Sequence, residues 1–146
     1  LPGRVTLVML DARTGEPIGS STFLDIRPEH RGIEIGATWI GPARRGTAIN
    51  PEAKLLMLAH AFDTLGAIRV QLKCDGRNVH SQNAIAKLGA VREGVLRRHM
   101  MALDGYARDT VFYSILDDEW PGVRAGLEAR LRSLDAGGPA GPARGQ

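Results

Sequence analysis

Two strand–turn–helix segments carry the residues of this chain that could do chemistry. The first runs from Glu34 to Lys54 and places Arg44-Arg45-Gly46-Thr47-Ala48 directly before a helical pattern. Backbone amides at a helix N-terminus, preceded by arginine and glycine, form a site for a phosphate or pyrophosphate. The second segment ends in Asn78-x-x-Ser81, a polar pair that follows another strand. Together they predict a nucleotide-bearing cofactor at the first turn and polar chemistry near the second.

The composition narrows the class of protein. With 146 residues, 43% hydrophobic and 24% charged, the chain is expected to form one globular domain with a real core. The net charge of +3 is mild, and the few aromatic residues are not interleaved with the basic ones, so we expect no nucleic-acid partner. No apolar run approaches the ~20 residues of a membrane span, and no signal peptide is recognisable, so we expect no membrane partner and a cytoplasmic protein.

Metal and disulfide chemistry are not expected. Cys74 is the single cysteine, which excludes an internal disulfide and a cysteine-based zinc site. Its place in an alternating strand favours a small buried hydrophobe over a reactive thiol. The four histidines show no metal-binding spacing, so we predict no metal.

Periodicity and turn residues predict the elements that must position these groups. Strands are expected over residues 5–11, 18–26, 33–40, 68–75, 91–100 and 108–116, the last two joined by an Asp104-Gly105 hairpin. Helices are expected from an N-cap at Asn50 to Leu65, from Asn78 or Asn83 to Gly89, and over 117–134. The order β-β-β-α-β-α-β-β-α predicts an α/β domain over residues 1–134 with a mixed sheet. Residues 135–146 are Gly, Pro and Ala without periodicity and are expected to be a disordered tail.

Four blocks in this order give the chain a family resemblance. They are Glu34-Ile35-Gly36 with Trp39-Ile40-Gly41-Pro42, the loop Arg45 to Ala53, the segment Asp75 to Ala90, and Glu93 to Arg97 with Asp109 to Ser114. In these blocks, which together cover roughly residues 5 to 120, the chain resembles the GCN5-related N-acetyltransferase (GNAT) superfamily. It is most similar to the bacterial branch of ribosomal-protein N-terminal acetyltransferases.

The resemblance implies a fold, a co-substrate and a set of site residues. The fold is a mixed, mostly antiparallel twisted sheet flanked by helices, known as the acyl-CoA N-acyltransferase fold. The co-substrate is acetyl-CoA, with an amine as acceptor, transferred by direct attack without a covalent enzyme intermediate. The cofactor-binding positions carried over are Trp39, Ile40, Arg44, Arg45, Gly46, Thr47, Ala48, Ile49, Asn50, Asn78, Ser81 and Lys87. Glu34 takes the place of the general base and Ser81 that of the acid that returns a proton to the CoA thiolate.

The sequence departs from the family pattern in two ways. Ala48 and Asn50 stand at the positions of the loop where relatives carry glycine, although asparagine tolerates left-handed geometry and can still serve a phosphate cradle. Relatives also begin with a strand and two helices that form one wall of the acceptor cleft, and this sequence does not include them. Either they were cut off, or another subunit supplies the wall, or substrate binding is compromised. The apolar surface that they would cover makes a homodimer an expectation.

Each candidate also has an ordinary structural interpretation. Glu34 could be a glutamate on the wet face of a half-buried strand, and Trp39 could simply pack in the core while its backbone, with that of Ile40, binds pantetheine. Arg44 and Arg45 could be a solvated turn, although the loop favours phosphate binding, more through Arg45 than through Arg44. Asn78 and Ser81 could be capping residues. Lys87 could be a surface lysine.

Two classes of function follow. The favoured one is an N-acetyltransferase acting on a protein N-terminus or a small-molecule amine. The alternative is a catalytically silent module of the same fold that binds CoA and acts through protein contacts. A basic nucleic-acid-binding domain is disfavoured by the spacing of the phosphate loop.

Overall fold

The computed structural model describes residues 3–136, and these residues fold as a single six-stranded sheet carrying its helices on one face. The elements are β1 (Val5–Leu10), β2 (Pro17–Arg27), β3 (Gly32–Ile40), α1 (Ile49–Ala59), β4 (Arg69–Asp75), α2 (Val79–Lys87), β5 (Val91–Met101), β6 (Ala107–Leu116) and α3 (Trp120–Ala136). Their order is the predicted one.

The sheet is mixed and mostly antiparallel, as predicted. Its strand order is β1-β2-β3-β4-β6-β5, and β3 with β4 form the one parallel pair of the described residues. Helix α1 makes the crossover that a parallel pair requires. The β5–β6 hairpin turns at Gly105, whose φ of +81° explains the glycine after Asp104.

The parallel pair opens into a wedge. Its ladder joins Gly32, Ile33 and Glu34 to Arg69, Val70 and Gln71 and goes no further. Beyond these pairs β3 continues to Ile40 and β4 to Asp75 without a shared ladder. The facing edge of β3 from Ile35 onward is therefore left without a strand partner on that side. Such an edge can pair with an extended ligand.

A bulge distorts β3 at the mouth of this wedge. The pairing with β2 passes from Thr22–Gly36 to Ser20–Trp39, so Ala37 and Thr38 together oppose Ser21. Ala37 has a φ of +47°, which is uncommon for a residue with a side chain. Two residues opposing one is the signature of a β-bulge, and it turns the following backbone away from the regular pleat.

The core lies between the sheet and the helices. Ile33, Ile35, Val70 and Leu72 are buried in it and alternate with residues of the opposite face, which include Glu34, Gln71 and Lys73. Helix α3 packs beside α1, and the rings of Phe62 and Trp120 stack with their centroids 5.5 Å apart. The opposite face therefore carries a line of polar side chains close to the wedge.

The helix boundaries differ from the predicted ones at both ends of α1 and at both ends of α3, which runs Trp120–Ala136 where a helix over 117–134 was predicted. Helix α1 begins at Ile49 with Ala48 as its N-cap, because the first helical hydrogen bond runs from the amide of Glu52 to the carbonyl of Ala48. Asn50 is thus inside the first turn and is not the cap. After Ala59 the helix continues as a π-helical turn, His60–Thr64, before Gly66 at a φ of +68°.

The end of α3 bears on the predicted tail. Asp135 and Ala136 are helical, so those two residues do not belong to a tail, and the remainder of the predicted disordered segment lies outside the described residues.

Within residues 3–136, no helix combines the length and apolarity needed to cross a bilayer. Edge strands β1 and β5 carry exposed apolar side chains, among them Val8 and Met101, and the homodimer remains a prediction.

Candidate active site

A cleft of about 710 Å³ occupies the wedge between β3 and β4. Its walls come from both strands, from the first turns of α1 and α2, and from the β5–β6 hairpin. The candidates that line it are Glu34, Ile40, Asn50, Asn78 and Ser81. Both helix N-termini open towards this space, so their positive dipole ends favour negative charge there. The cleft thus brings together candidates from both segments.

The loop before α1 has the backbone of an anion site at the rim of the cleft. Gly46 has a φ of +73°, so the left-handed position of the loop is here and not at Asn50. No atom lies within 4 Å of where a Cβ of residue 46 would be, so conformation and not crowding requires glycine. The Thr47 hydroxyl donates to the Arg44 carbonyl at 2.6 Å and shapes the turn. Thr47, Ala48 and Ile49 bring their amides to the start of the helix.

The two arginines of the loop have different surroundings. The Arg44 guanidinium bonds the buried Asp11 carboxylate at 2.9 Å and lines a separate apolar cavity of about 400 Å³ between β1 and α1. Backbone amides at Arg13 and Thr14, with Arg44, keep the pKa of Asp11 below its usual range. Arg45 donates from Nε to the Ile40 carbonyl at 3.2 Å and has no ion pair with a described residue. Of the two arginines of the loop, Arg45 is therefore the one whose charge is available to a ligand.

Glu34 lies at the apex of the wedge and is almost fully buried, with 2% of its surface exposed. The interpretation as a glutamate on a wet strand face is therefore wrong. Gln71 donates from Nε2 to Glu34 Oε2 at 2.8 Å, and Lys73 Nζ lies 3.1 Å from Oε1. Both Glu34 and Lys73 line the cleft, and Oε1 itself is buried with the Lys73 ammonium as its neighbour.

A hydrogen-bonded network fixes the orientation of Gln71. Arg69 donates to Gln71 Oε1 at 3.1 Å. It also donates two hydrogen bonds to the Glu93 carboxylate, one to each oxygen, at 2.7 and 2.6 Å. The Arg69 hydrogen bond, with a further one from Ser114, holds the pKa of Glu93 below its usual range. Since Arg69 occupies the amide oxygen of Gln71, the amide nitrogen must face Glu34.

The start of α2 combines a cap with a free hydroxyl. Asn78 is the N-cap, and its Oδ1 accepts from the Ser81 amide at 3.0 Å, so the capping interpretation holds for Asn78. Ser81 Oγ makes no hydrogen bond with a described side chain and lines the cleft, as does His80. Lys87 is exposed in the last turn of α2 and is not among the residues that line the cleft.

Trp39 does not pack in the core. Its side chain is 55% exposed, because the bulge at Ala37 and Thr38 changes which face the following residues present. The backbone of Trp39 and Ile40 pairs with Ser20 and Gly19 of β2. A Cβ at Gly19 would lie 2.6 Å from the Trp39 carbonyl oxygen, so only glycine allows the two backbones to approach this closely.

Cys74 lines the cleft, but its surroundings favour a structural role and not a nucleophilic one. Burial raises the pKa of its thiol, which keeps it protonated and weakly nucleophilic. The buried small hydrophobe predicted from the sequence is therefore what the structure shows. Among the described residues, no group of three or more His, Cys, Asp or Glu side chains is placed to hold a metal ion.

Sequence reasoning missed the residues that surround the candidates. Lys54, buried at 7% exposure, donates to Thr38 Oγ1 at 2.7 Å, and Ser21 Oγ lies 2.8 Å from the same oxygen. Burial lowers the pKa of Lys54 to about 8. Lys54 stands four residues after Asn50 and so shares its face of α1, but lysine is normally a surface residue and its type gives no signal of burial. Gln71 and Lys73 share a face of β4 by strand alternation, but only the register with β3 places them on Glu34.

The chain matches the acetyltransferase (GNAT) domain family over residues 2–91, which is more than half of its length. Among curated proteins it is 32% identical to the uncharacterized N-acetyltransferase YoaA of Bacillus subtilis over 103 residues, covering 70% of this chain and 57% of the relative. The chain spans less than two thirds of the length of the curated relatives it matches.

Solved structures show the same fold. A protein from T. thermophilus, provisionally described as an acetyltransferase, is 49% identical with a TM-score of 0.83, over 90% of this chain and 68% of that one. A GCN5-related N-acetyltransferase from Brucella melitensis is 32% identical with a TM-score of 0.84, over 88% and 58% of the two chains.

Proposed function

The chain belongs to the GNAT acetyltransferase family, and on that premise we propose that it transfers an acetyl group from acetyl-CoA to a primary amine. The observation that carries the proposal is the wedge between β3 and β4, with a buried carboxylate at its apex and two helix N-termini opening onto it. The acceptor proposed is a protein N-terminus or a small-molecule amine, and the attack is direct.

The residues present fit acetyl-CoA. The amides of Gly46, Thr47 and Ala48 offer donors for a pyrophosphate, as does the guanidinium of Arg45, which makes no ion pair with a described residue. The Ile49 amide already donates to the Thr47 hydroxyl at 3.4 Å. The edge of β3 beyond Glu34 has backbone groups without a strand partner, which suits an extended arm that carries amides. The bulge at Ala37 and Thr38 aims that backbone into the cleft, where amides near Trp39 and Ile40 polarise the thioester carbonyl.

Glu34 is the proposed general base. An attacking amine must lose a proton, and a carboxylate can take it directly or through one water. Gln71 holds Oε2, so the buried Oε1 is the oxygen left to take the proton. The Lys73 ammonium at 3.1 Å stands where an acceptor ammonium would approach, and it must move aside or share the carboxylate.

Ser81 is the proposed acid for the departing thiolate. Its hydroxyl faces the cleft from the third position of α2, and its amide is occupied by the Asn78 cap. A thiolate near this helix N-terminus is favoured by the dipole, which lessens the demand on the serine proton.

The second candidate is a silent CoA-binding module, and the Lys73–Glu34 ion pair is the observation that favours it. If Lys73 stays on the carboxylate, Glu34 cannot serve as a base. This module binds acetyl-CoA but releases no thiol with any amine.

Calorimetric titration with acetyl-CoA, followed by thiol release against amines and N-terminal peptides, separates the two. The acetyltransferase predicts binding and amine-dependent release. Glu34→Gln is expected to lower kcat by about a hundredfold and to leave the Kd for acetyl-CoA unchanged. Glu29→Gln, at an exposed position of the turn Pro28–His30, is the matched control and should behave as the wild type. Equal turnover in both variants would remove Glu34 as the base.

A further inference from the structure

One lysine of the chain lies where the acceptor of the proposed reaction must lie. Lys73 extends from β4 into the cleft, and its Nζ is 3.1 Å from Oε1 of Glu34. An amine that gives its proton to a general base has to come within hydrogen-bond reach of that base, directly or through one water. Lys73 meets this condition through its own side chain.

The Glu34 oxygen beside this amine is able to accept a proton. Gln71 donates to Oε2, whereas Oε1 is buried and has no hydrogen-bond partner among the described residues. The Lys73 ammonium is close to Oε1 but is not aligned with it as a hydrogen bond. A Cβ at Gly36 would lie 3.6 Å from Oε1, so this oxygen is near the part of β3 that follows the end of the parallel ladder. A buried oxygen without a donor calls for an explanation, and proton transfer from the adjacent amine supplies one.

The other two of the chain's three lysines lack this arrangement. Lys54 lines the same cleft from α1, but its Nζ donates to the Thr38 hydroxyl and forms no ion pair with a described carboxylate. Lys87 is exposed in α2 and is not among the residues that line the cleft. Burial lowers the pKa of Lys54 to about 8, so more of this amine is neutral at a given pH than at an ordinary lysine. Intrinsic reactivity therefore favours Lys54, and proximity to the base favours Lys73.

We propose that Lys73 is a self-acetylation site, with Glu34 as its general base and bound acetyl-CoA as the donor. The inference rests on the proposed function for the identity of the donor and of the base. A thioester placed for attack by an amine at Glu34 is placed for attack by Lys73 as well. Because this amine is held in the site by the chain itself, its reaction needs no encounter with a second substrate.

The step is an acyl transfer in which nothing is oxidised or reduced. The Lys73 ammonium gives a proton to Glu34, and the neutral nitrogen attacks the carbonyl carbon of the thioester. A C–N bond forms and the C–S bond breaks. The nitrogen loses two protons in total, of which the first passes through Glu34 to solvent and the second ends on the departing thiolate. The products are an amide at Lys73 and CoA with a free thiol.

Acetylation changes the charge beside Glu34. Acetyl-lysine is neutral, so the ion pair that favours the silent module is lost and the carboxylate becomes available to an external amine. The Lys73 side chain is 28% exposed, which leaves the modified stem a way out of the cleft. The first acetyl transfer, to Lys73, therefore prepares the enzyme for transfer to other amines.

The first experiment incubates the wild type with acetyl-CoA and no added amine, and locates acetyl groups by peptide mass spectrometry. We expect one acetyl group at Lys73 and one CoA released per chain, measured by chromatography. Neutral hydroxylamine removes a thioester at Cys74 but leaves an amide at Lys73. Glu34→Gln should slow acetylation of Lys73 about a hundredfold and leave the slow non-enzymatic reaction at Lys87 unchanged. Glu29→Gln is the matched control and should behave as the wild type.

Two substitutions at position 73 test the consequence for external amines. Lys73→Arg keeps a cation beside Glu34 but cannot be acetylated in its place, whereas Lys73→Gln resembles acetyl-lysine. The wild type should show a lag in transfer to an added amine, and prior incubation with acetyl-CoA should remove the lag. Lys73→Gln should start without a lag and about tenfold faster than Lys73→Arg, because a cation beside a carboxylate weakens its affinity for a proton by about that factor or more.

Each outcome decides the inference. Acetylation at Lys54 instead of Lys73, or acetylation that Glu34→Gln does not slow, would overturn it, because reactivity and not the base would then select the lysine. Transfer to added amines with no acetyl group at Lys73 would also overturn it while leaving the acetyltransferase intact. Acetylation of Lys73 without transfer to any amine would establish the modification site and refute the proposed reaction. Binding of acetyl-CoA with neither reaction would overturn both.

Discussion

Replacing Lys54 with methionine is expected to stabilise the protein. Methionine has nearly the shape of the lysine stem and carries no charge, so it can fill the same buried position on α1. In the wild type Lys54 is 7% exposed, and its ammonium is compensated by a single hydroxyl. Removing a charge that no carboxylate offsets removes its desolvation cost. The substitution therefore measures how much burial of this one charge lowers the free energy of unfolding.

The magnitude follows from the pKa. Burial lowers the pKa of Lys54 from 10.5 to about 8, which at about 1.36 kcal/mol per pH unit corresponds to about 3 kcal/mol. Losing the charged hydrogen bond to Thr38 costs about 1.5 kcal/mol of this gain. The free energy of unfolding of Lys54→Met at pH 7 should therefore exceed that of the wild type by about 2 kcal/mol.

The pH dependence has a definite sign. Since the folded pKa lies below the unfolded one, the unfolded state binds more protons between pH 8 and pH 10.5. The stability of the wild type therefore rises through that window relative to the variant. The advantage of Lys54→Met is full below about pH 8 and disappears as the pH approaches 10.5.

Urea unfolding followed by circular dichroism at pH 7 and at intervals up to pH 10 measures this difference. Comparing two proteins at each pH cancels the titration of their shared groups. Lys87→Met makes the same chemical change at an exposed position of α2 and should give a difference near zero at every pH. A Lys54→Met variant that is less stable at pH 7, by an amount independent of pH, would refute the uncompensated buried ammonium.

Three further predictions concern the cleft. Gln71→Met should lower kcat about tenfold without changing the KM for acetyl-CoA, because Glu34 loses the donor that holds Oε2; an unchanged kcat in steady-state assays would dismiss this positioning role. Gly46→Ala places a side chain at a φ of +73° and should reduce stability in urea unfolding by about 1 kcal/mol and weaken CoA binding; unchanged values would mean that the loop relaxes freely. Ser81→Ala should lower kcat about tenfold while the melting temperature stays the same, and full activity would exclude the hydroxyl as the acid.

The fold could be predicted largely because its signals are local. Alternation identified β3 and β4, and helical spacing together with Gly66 and Gly89 delimited the helices between strands. The start of α1 was misplaced by two residues because Asn50 and Pro51 resemble a cap and first position. The actual cap, Ala48, makes no side-chain bond that a sequence could signal.

The surroundings of the site could not be predicted because they depend on contacts distant in sequence. Whether Gln71 touches Glu34 is decided by the register of β3 against β4 after an α-helical crossover. Trp39 is exposed because of the bulge, which no turn residue announces. Lysine is normally a surface residue, so nothing short of the packing of α1 against β3 identifies Lys54 as buried.

Three of the places where the chain breaks local rules lie in one cleft, although others, such as Asp25, Arg31 and Arg98 with positive φ, lie outside it. Ala37 adopts a left-handed backbone without being glycine, Lys54 buries a charge without a counter-charge, and Asn50 buries an oxygen without a donor. Each lowers stability, and consistency across levels is the ordinary condition of a folded sequence. Strained or unsatisfied groups that cluster at one opening are better explained by a ligand that relieves them than by three unrelated defects. The Lys54→Met variant tests this relation. If the variant is more stable than the wild type and binds CoA more weakly, the Lys54 ammonium both lowers the stability of the fold and contributes to binding.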